Sequence, residues 1–424
     1  MSQDQLSEQA RPGLAELASL ADPAVIANPY PLLARLREAS PFTELDGALV
    51  VFGRYEDCSR ILRDPRVSSE RERARIVPPE VQAQAQERPR SFLSLDPPDH
   101  TRLRGLVAKA FTPRVVSTLE PRITEVTHEL LTAAEASAPE LELVSQLAYP
   151  LPVRIISELL GVPAADHARF AGWSAKLARS VQPSFGTIDP VELAEAEQAG
   201  IEFGEYFTEL IAARRSDPGD DLLTKLIRAE DEGQRLTTDE LIATCVLLLV
   251  AGHETTVGLI SNAMLALLRH PDQLAALLAD PGLAASAVEE TLRYDPPVQL
   301  TARVVRGDMR FGEIRPDEGT LLLLLLAATG RDPDVFARPD EFDVGRGARE
   351  HLAFAAGPHF CLGAPLARLE ATIALRAIAA RLAGPVLDES ALVYKSNFNL
   401  RGPERMIVRF DRIRSAYQIG SSSP

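Results

Sequence analysis

The chain has 424 residues, of which 46% are hydrophobic, and its formal net charge is −15 at pH 7. This charge excludes the non-specific nucleic-acid binding that depends on a basic surface, and it favours a soluble protein. The three cysteines, Cys58, Cys245 and Cys361, show no paired spacing, which excludes a disulfide framework and indicates a reducing compartment. The first residues lack a signal-peptide pattern, and the longest apolar runs, 241–252 and 321–328, are too short to cross a bilayer. We therefore expect a cytoplasmic protein without a membrane partner.

The N-terminal part of the chain mixes helical and extended patterns. We expect residues 1–20 to be flexible and residues 64–95 to form a loop with short helical pieces. The turn residues Asp46-Gly47 separate two apolar runs and predict a β-hairpin. In chain order, the predicted regular elements of this part are a helix over 30–37, the hairpin over 42–52 and a helix over 55–63.

A polar, proline-containing stretch, Asp96-Pro97-Pro98-Asp99-His100, opens the next predicted helix, with Asp99 as the predicted cap. His100 and Arg104 are four residues apart and therefore share a helix face. Between Thr101 and Arg114 there are four basic residues and no acidic one, against the negative charge of the whole chain. This reversal fits either a solvated helix face or a surface that attracts an acidic partner.

The longest helical pattern follows the capping box Thr237-Thr238-Asp239-Glu240 and runs to Arg269. Its middle, Ala251-Gly252-His253-Glu254-Thr255-Thr256, places a glycine, a charged pair and two β-branched hydroxyls in an otherwise apolar helix. Taken by itself, this pattern fits hydroxyls that bond to carbonyls one turn earlier and bend the helix slightly. A zinc-protease motif is excluded, because H-E-x-x-H requires a histidine where Val257 stands.

The next segment combines a charged helix with predicted strands. Glu290 and Arg293 lie one turn apart on a helix that ends before Pro296, a spacing that alone fits a surface ion pair. Arg303, taken alone, fits an arginine on an edge strand. The predicted strands of this region cover 300–305, 309–314 and 320–326.

The stretch 354–364 contains one cysteine between glycines, and a helix over 364–382 follows. Glycines let a backbone approach something flat and bulky closely. The N–H groups near the sulfur and the helix N-terminus after it favour a thiolate. From the residues alone, Cys361 is a structural cysteine, a nucleophile or the axial ligand of a haem iron.

Four motifs together resemble the cytochrome P450 family. In family order they are D-P-P-x-H-x-x-x-R at 96–104, A-G-x-E-T-T at 251–256, E-x-x-R at 290–293 and F-x-x-G-x-H-x-C-x-G at 354–363. Two positions depart from the family pattern. Ala355 stands where glycine is more frequent, and Glu341 stands where a P-E-R-F-like stretch has arginine. The resemblance covers about residues 20–412.

The resemblance implies a mainly α-helical fold with small β-sheets, of the α+β class. One haem-thiolate monooxygenase domain would span residues 21–412, between a flexible N-terminus, 1–20, and a flexible tail, 413–424. It also implies haem b with Cys361 as its axial thiolate ligand, which would push electron density onto the iron. The remaining residues implied to bind this cofactor are His100, Arg104, Arg303, His359, Phe354 and Gly363.

The resemblance further implies roles around the haem. Thr255 and Glu254 would be the catalytic pair that handles protons at the oxygen-binding site. Glu290 and Arg293 would form a buried structural pair, with Arg338 or Arg346 as the third member. The residues implied to line a mainly apolar substrate cavity are Leu247, Val250, Ala251, Gln299 and Phe398.

The implied reaction inserts one oxygen atom from dioxygen into a lipophilic small molecule, by hydroxylation or epoxidation, and reduces the other atom to water. The chain has no G-x-G-x-x-G fingerprint and no cysteine cluster. Electrons would therefore come from a separate ferredoxin and an NAD(P)H-dependent ferredoxin reductase, with Arg102, Lys109 and Arg114 facing the donor.

Two alternatives to the monooxygenase stay open on the sequence. The first is a peroxide-driven haem enzyme of the same fold, which usually lacks the acid–alcohol pair. The second is a non-catalytic haem-binding protein, which has no need of that pair. Glu254 and Thr255 therefore favour the monooxygenase over both alternatives.

Overall fold

The computed structural model describes residues 13–87, 90–180, 190–231, 234–347 and 349–414. Helices predominate in this part of the chain. The α-helices are α1 (Leu14–Ser19), α2 (Pro23–Ala27), α3 (Tyr30–Ala39), α4 (Tyr55–Ile61), α5 (Pro79–Glu87), α6 (Asp99–Ala110), α7 (Pro113–Ser117), α8 (Glu120–Ala133), α9 (Pro150–Leu159), α10 (His167–Ser180), α11 (Pro190–Ser216), α12 (Leu222–Arg228), α13 (Thr238–Arg269), α14 (Pro271–Ala279), α15 (Ala284–Tyr294), α16 (Leu326–Thr329) and α17 (Ala364–Arg381).

The strands are short and form several small sheets. They are β1 (Phe42–Glu44), β2 (Leu49–Phe52), β3 (Val67–Ser68), β4 (Glu140–Glu142), β5 (Glu230–Asp231), β6 (Gln234–Arg235), β7 (Thr301–Val305), β8 (Leu321–Leu324), β9 (Leu382–Ala383), β10 (Val386–Leu387), β11 (Val393–Tyr394), β12 (Pro403–Arg405), β13 (Ile407–Arg409) and β14 (Arg412–Ile413). A single-turn π-helix at Val144–Ala148 precedes α9.

Helix α13 is the centre of the helical part. It begins with the predicted capping box, in which Thr237 Oγ1 accepts from the Glu240 N–H and the Glu240 carboxylate accepts from the Thr237 N–H. Every residue from Thr256 to Leu267 is buried, because α9, α15 and α17 pack around the helix. By length and composition α13 could cross a membrane, but half of its most apolar window is buried inside the protein, which fits a core helix.

The largest sheet has five strands in the order β1-β2-β8-β7-β3, and β2 runs parallel to β8 while the other pairs are antiparallel. Alternate residues of β2 and β8 enter two different apolar clusters. Val51 and Leu323 pack with α1 and α3, whereas Val50 and Leu322 pack with α4. Because both faces are covered, these strands are continuous apolar runs in the sequence rather than alternating ones.

The smaller sheets join distant parts of the chain. Strand β13 pairs with both β10 and β4, so the C-terminal region packs against the segment before α9. Strands β11 and β12 form a separate antiparallel pair whose register shifts between Val393 and Tyr394. This pair, together with its connection, places residues 393–405 against α13.

The predicted fold class is confirmed, as are helix α3 and the β1–β2 hairpin. Residues 13–20, which the sequence predicts to be flexible, include helix α1, which buries Leu17 in the core; residues 1–12 lie outside the described part. At the other end, β14 pairs with β9 and extends the folded region to Ile413, and residues 415–424 lie outside the described part.

Three local predictions also needed correction. Asp99 is the first helical residue of α6 rather than its cap, since the cap position belongs to Pro98 and no side chain bonds there. The segment 309–314 makes only a bridge between Phe311 and Ile314. Arg303 does not lie on an edge strand, because β7 is between β8 and β3.

Candidate active site

The cysteine loop is closed by a backbone hydrogen bond in which the Cys361 N–H donates to the Phe354 carbonyl oxygen at 3.0 Å. Gly357 has φ +70°, and a Cβ there would stand 2.3 Å from the carbonyl oxygen of Leu62, so only glycine fits. Ala355 has φ +57°, a left-handed conformation that costs free energy for a residue with a side chain. The position where the sequence departs from the glycine pattern is therefore one that favours glycine.

The sulfur of Cys361 is partly buried in an electrostatically mixed environment. Burial raises the pKa of the thiol, although the N–H groups of Gly363 and Ala364 and the charges of Arg104 and Arg368 lower it. The N–H groups therefore act in the expected direction, but in the loop by itself burial outweighs them. A cation bound directly to the sulfur, such as a metal ion, would reverse the balance.

A cluster of basic side chains gathers near this loop. The rings of His100 and His359 lie 4.1 Å apart, and both ring nitrogens of His100 are buried without a hydrogen-bond partner in the described part of the chain. Burial, followed by the charges of His100, Arg303 and Arg104, lowers the pKa of His359 to about 3. Burial also lowers the pKa of Arg303 to about 10. The two histidines are therefore neutral at pH 7 and can each donate one N–H, while Arg104 and Arg303 carry the positive charge, which bound anions would stabilise.

The polar middle of α13 has open space beside it. Ala251 and Gly252 are exposed, although their neighbours Val250 and His253 are buried, and a Cβ on Gly252 would have no atom within 4 Å. Thr255 Oγ1 donates to the Ala251 carbonyl oxygen at 2.9 Å. Thr256 makes the same bond to the carbonyl one turn earlier, so both hydroxyls have the structural role that the helical pattern predicts.

Glu254 is held by two basic side chains. Its carboxylate accepts from Lys395 Nζ, which follows β11, and lies 3.3 Å from His253 Nε2. Burial opposes its ionisation, but the hydrogen bond from His253 and the charge of Lys395 outweigh this effect and lower its pKa to about 2. His253 is itself fixed by Ser174 Oγ, 2.9 Å from its Nδ1. Glu254 is therefore a carboxylate at neutral pH.

The Glu290–Arg293 pair is fully buried. Arg293 donates to both carboxylate oxygens of Glu290 at 2.7 and 2.8 Å. Arg346 Nε also donates to Glu290 at 3.1 Å, whereas Arg338 pairs with the exposed Glu341. Of the two arginines that the sequence left open as the third member, the structure selects Arg346.

Comparison with known proteins agrees with this geometry. The family model for Cytochrome P450 matches residues 47–280 and 282–382. The chain is 45% identical over 377 residues to Cytochrome P450 107B1 of Saccharopolyspora erythraea, covering 86% of this chain and 89% of that protein. It is 42% identical over 427 residues to Cytochrome P450 monooxygenase PikC of Streptomyces venezuelae, covering 98% of this chain and 99% of that one.

Solved structures show the same relationship. The ligand-free crystal structure of Mycobacterium smegmatis CYP164A2 is 48% identical, has a TM-score of 0.85 and covers 93% of this chain and 99% of that one. The chain belongs to the cytochrome P450 family. It is therefore an oxidoreductase of a family whose members use haem with a cysteine thiolate ligand.

The residues of this P450 fit a haem. The unpartnered nitrogens of His100 and the excess of cations around His359 match the two propionate carboxylates that a haem carries. A cation bound to the Cys361 sulfur would offset the burial that raises the pKa of the thiol. The residues that would hold the group are Cys361, His100, Arg104, Arg303 and His359, with Phe354 and Gly363 in the cysteine loop.

The residues predicted to line the substrate cavity of the P450 lie in different surroundings. Ala251 is exposed, whereas Leu247 is half-buried and Val250 is buried in the helical core. Gln299 is buried and its side-chain amide donates to the Pro296 carbonyl oxygen at 2.6 Å. Phe398 packs against the cluster formed by α1, α3 and the large sheet. Their role toward substrate stays a prediction.

Sequence reasoning missed Asp96 as a structural residue. Its carboxylate accepts from Ser68 Oγ at 2.5 Å, from the Ser69 N–H at 2.9 Å and from Arg306 Nη1 at 3.0 Å. It thereby ties the start of α6 to β3 and to the end of β7. The partners are 27 or more positions away in the sequence, so no local pattern signals these bonds.

A second missed group positions Phe354. The Arg368 guanidinium lies 4.6 Å from the Phe354 ring centroid and donates to Glu289 at 2.5 and 3.0 Å. His351 Nε2 lies 3.1 Å from the same carboxylate. The Phe354 ring is therefore positioned by the Arg368 guanidinium of α17, and Arg368 is itself positioned by the Glu289 carboxylate of α15. Only Arg368 has a sequence signal, its place one turn after the loop.

Proposed function

We propose that this P450 inserts one oxygen atom of dioxygen into a lipophilic small molecule and reduces the other atom to water. A substrate RH, dioxygen, two electrons and two protons give ROH and water, so the reaction balances. Haem on Cys361 supplies the dioxygen chemistry when it is bound. The polar cluster Glu254–Thr255 in the middle of α13 carries this proposal, since an enzyme that splits dioxygen needs protons delivered at a fixed place.

Thr255 and Glu254 would divide the handling of protons. The Thr255 hydroxyl donates to the Ala251 carbonyl oxygen, and the residue is half-buried, so the oxygen has acceptor capacity left for a further partner. Glu254 is ionised and paired with Lys395 and His253, so it accepts protons from the solvent side.

We assign electron delivery to a ferredoxin with an NAD(P)H-dependent reductase. The supporting feature is the basic stretch of α6 and α7, where Lys109 and Arg114 are exposed. Arg102 takes no part in this surface as a free charge, because it is paired with Glu240 at the start of α13. Changing Arg114 to Glu should slow ferredoxin-dependent reduction at low salt, and the matched change of the exposed Arg409 should not.

The proposal is tested first by spectroscopy on protein purified with haem supplied. A Soret band, with the red-shifted carbon monoxide complex of a thiolate-ligated ferrous haem, is expected. A panel of lipophiles should then move the Soret band of the resting enzyme for at least one chemical class. Absence of a Soret band in haem-supplied protein would contradict the assignment of Cys361.

The second test is the change Thr255→Ala with Thr256→Ala as the matched control. Thr255→Ala should uncouple NAD(P)H consumption from product, so less product forms for each reductant consumed. Thr256 is buried and makes the same type of bond, so its variant should keep the coupling of the unaltered enzyme. An unchanged product yield in Thr255→Ala would remove Thr255 from proton handling. Labelled dioxygen should place one labelled atom in the product.

A further inference from the structure

An ion pair that the proposed function does not use lies beside the cysteine loop. The Glu289 carboxylate of α15 accepts from Nε and Nη2 of Arg368 of α17, at 2.5 and 3.0 Å. The Glu289 side chain is 9% exposed and that of Arg368 is 32% exposed, so solvent reaches only part of the pair. Two parallel bonds to one carboxylate fix the plane of the guanidinium as well as its distance. The charge of Arg368 is therefore held at a defined place.

The hydrogen bonds around this pair define its charges. His351 Nδ1 accepts from the Ala353 N–H at 3.3 Å, so the ring proton is on Nε2, which donates to Glu289 at 3.1 Å. The histidine is therefore neutral. Burial opposes the ionisation of Glu289, but the hydrogen bonds from His351 and Arg368 outweigh burial and lower its pKa to about 2. At neutral pH the group thus contains one negative charge, on Glu289, and one positive charge, on Arg368.

Arg368 contacts the loop that carries the sulfur. Its guanidinium lies 4.6 Å from the centroid of the Phe354 ring, and the Phe354 carbonyl oxygen accepts from the Cys361 N–H at 3.0 Å. Helix α17 begins at Ala364, three residues after Cys361, and Arg368 belongs to its second turn. Burial raises the pKa of the Cys361 thiol, and the charge of Arg368 is among the effects that lower it. The sulfur therefore senses the positive member of the pair.

A fixed charge near the sulfur changes how readily a haem on Cys361 accepts an electron. Reduction adds one electron to the ferric haem and breaks no bond, and the ferredoxin of the proposed function supplies that electron. The reduced form carries one more negative charge, so a nearby cation stabilises it and a nearby anion destabilises it. Because the pair is partly buried, salt and water screen its charges less than those of a surface pair.

We propose that the Arg368–Glu289 pair sets the reduction potential of the haem bound to Cys361, with Arg368 raising the potential and Glu289 lowering it. Both residues act through Cys361, so they are positioning residues rather than catalytic ones. The inference rests on the proposed ligation of haem by Cys361 and deepens it, because it names the side chains that tune the transfer of an electron to this site.

The test is a redox titration of the haem-loaded, substrate-free enzyme and its variants, followed by the Soret band. Arg368→Gln should lower the midpoint potential and Glu289→Gln should raise it, each by up to a roughly tenfold change in the reduction equilibrium, which is about 59 mV for one electron. The double variant should lie between the two, because it removes both charges. Arg368→Lys keeps the positive charge and should shift less than Arg368→Gln. Arg376→Gln removes an exposed charge from the same helix and should leave the potential unchanged.

Shifts of the same sign in Arg368→Gln and Glu289→Gln would overturn the proposal, because a disturbed loop rather than a lost charge would then move the potential. Unchanged potentials in both variants, or an equal shift in Arg376→Gln, would also overturn it. Glu289→Gln keeps the shape of the side chain, so the sign of its shift decides the matter even where an Arg368 variant takes up no haem. The carbon monoxide complex of the unaltered enzyme reports separately on ligation by Cys361, so a failure of the proposed function is distinguished from a failure of this inference.

Discussion

Arg346 Nε lies 3.1 Å from the Glu290 carboxylate oxygen that also accepts from Arg293. The same guanidinium donates to the backbone carbonyl oxygens of Ala337, Arg338 and Glu341. Arg346 therefore joins the segment before the cysteine loop to helix α15. Glu290 is fully buried, so the loss of a donor leaves a carboxylate oxygen without a hydrogen bond that water could replace.

We expect Arg346→Met to lower the free energy of unfolding by about 1–3 kcal/mol, because a buried carboxylate loses one charged donor. Chemical unfolding followed by fluorescence measures this difference. Arg338→Met is the matched control, since Arg338 forms exposed pairs with Glu341 and Asp343 and should change stability by less than about 1 kcal/mol. Equal effects of the two changes would show that Arg346 is no part of the buried network.

Ala355 offers a test of backbone strain in the cysteine loop. Its φ of +57° favours glycine, so Ala355→Gly should raise the free energy of unfolding by about 0.5–1 kcal/mol. The neighbouring Ala356 has φ −154° and is buried, so Ala356→Gly should lower stability by a similar amount. Thermal unfolding of both variants measures whether each substitution raises or lowers the stability. A loss of stability in Ala355→Gly would contradict strain at this position.

Lys395 connects the β11–β12 region to α13 through Glu254. A double-mutant cycle with Lys395→Met and Glu254→Gln should give a coupling energy of about 1–3 kcal/mol, because the pair is partly buried and charge-assisted. Hydrogen exchange in residues 393–405 should increase in Lys395→Met, since the hairpin loses its tie to the helix. Arg409→Met removes a more exposed charge from a nearby strand and serves as the control. If the two substitutions have additive effects on stability and hydrogen exchange is unchanged, the Lys395–Glu254 contact contributes nothing to stability.

Glu370, buried in α17, predicts a pH dependence of stability. Burial raises its pKa from 4.5 to about 8, so between these values the folded protein holds a proton that the unfolded chain releases. Stability from this group is present below pH 4.5 and is lost as pH rises toward 8, by about 1.4 kcal/mol per pH unit. Glu370→Gln should remove this pH-dependent loss of stability. The thermal midpoint of the unaltered enzyme should therefore fall between pH 6 and 8 relative to that of the variant. The exposed Glu389→Gln should leave the slope unchanged, and a slope equal in all three proteins would contradict burial as the cause.

Local patterns in the sequence predicted much of this P450. The capping box at Thr237 marks the start of α13, and the turn Asp46-Gly47 marks the β1–β2 hairpin, because these signals need only neighbouring residues. The spacing around Cys361 indicated the family, since the loop makes its closing bond and its tight turn within ten residues. The sequence was sufficient to predict an element or a loop wherever the contacts that form it join residues close together in the chain.

The tertiary structure decided the contacts that join distant segments. The choice of Arg346 over Arg338 depends on which guanidinium reaches Glu290, 56 positions away, and both fit the sequence equally well. The partner of Glu254 is Lys395, 141 positions away, in a hairpin whose place against α13 no local pattern shows. Burial and the pairing of charges are properties of the packed chain, so they were visible only after folding brought these elements together.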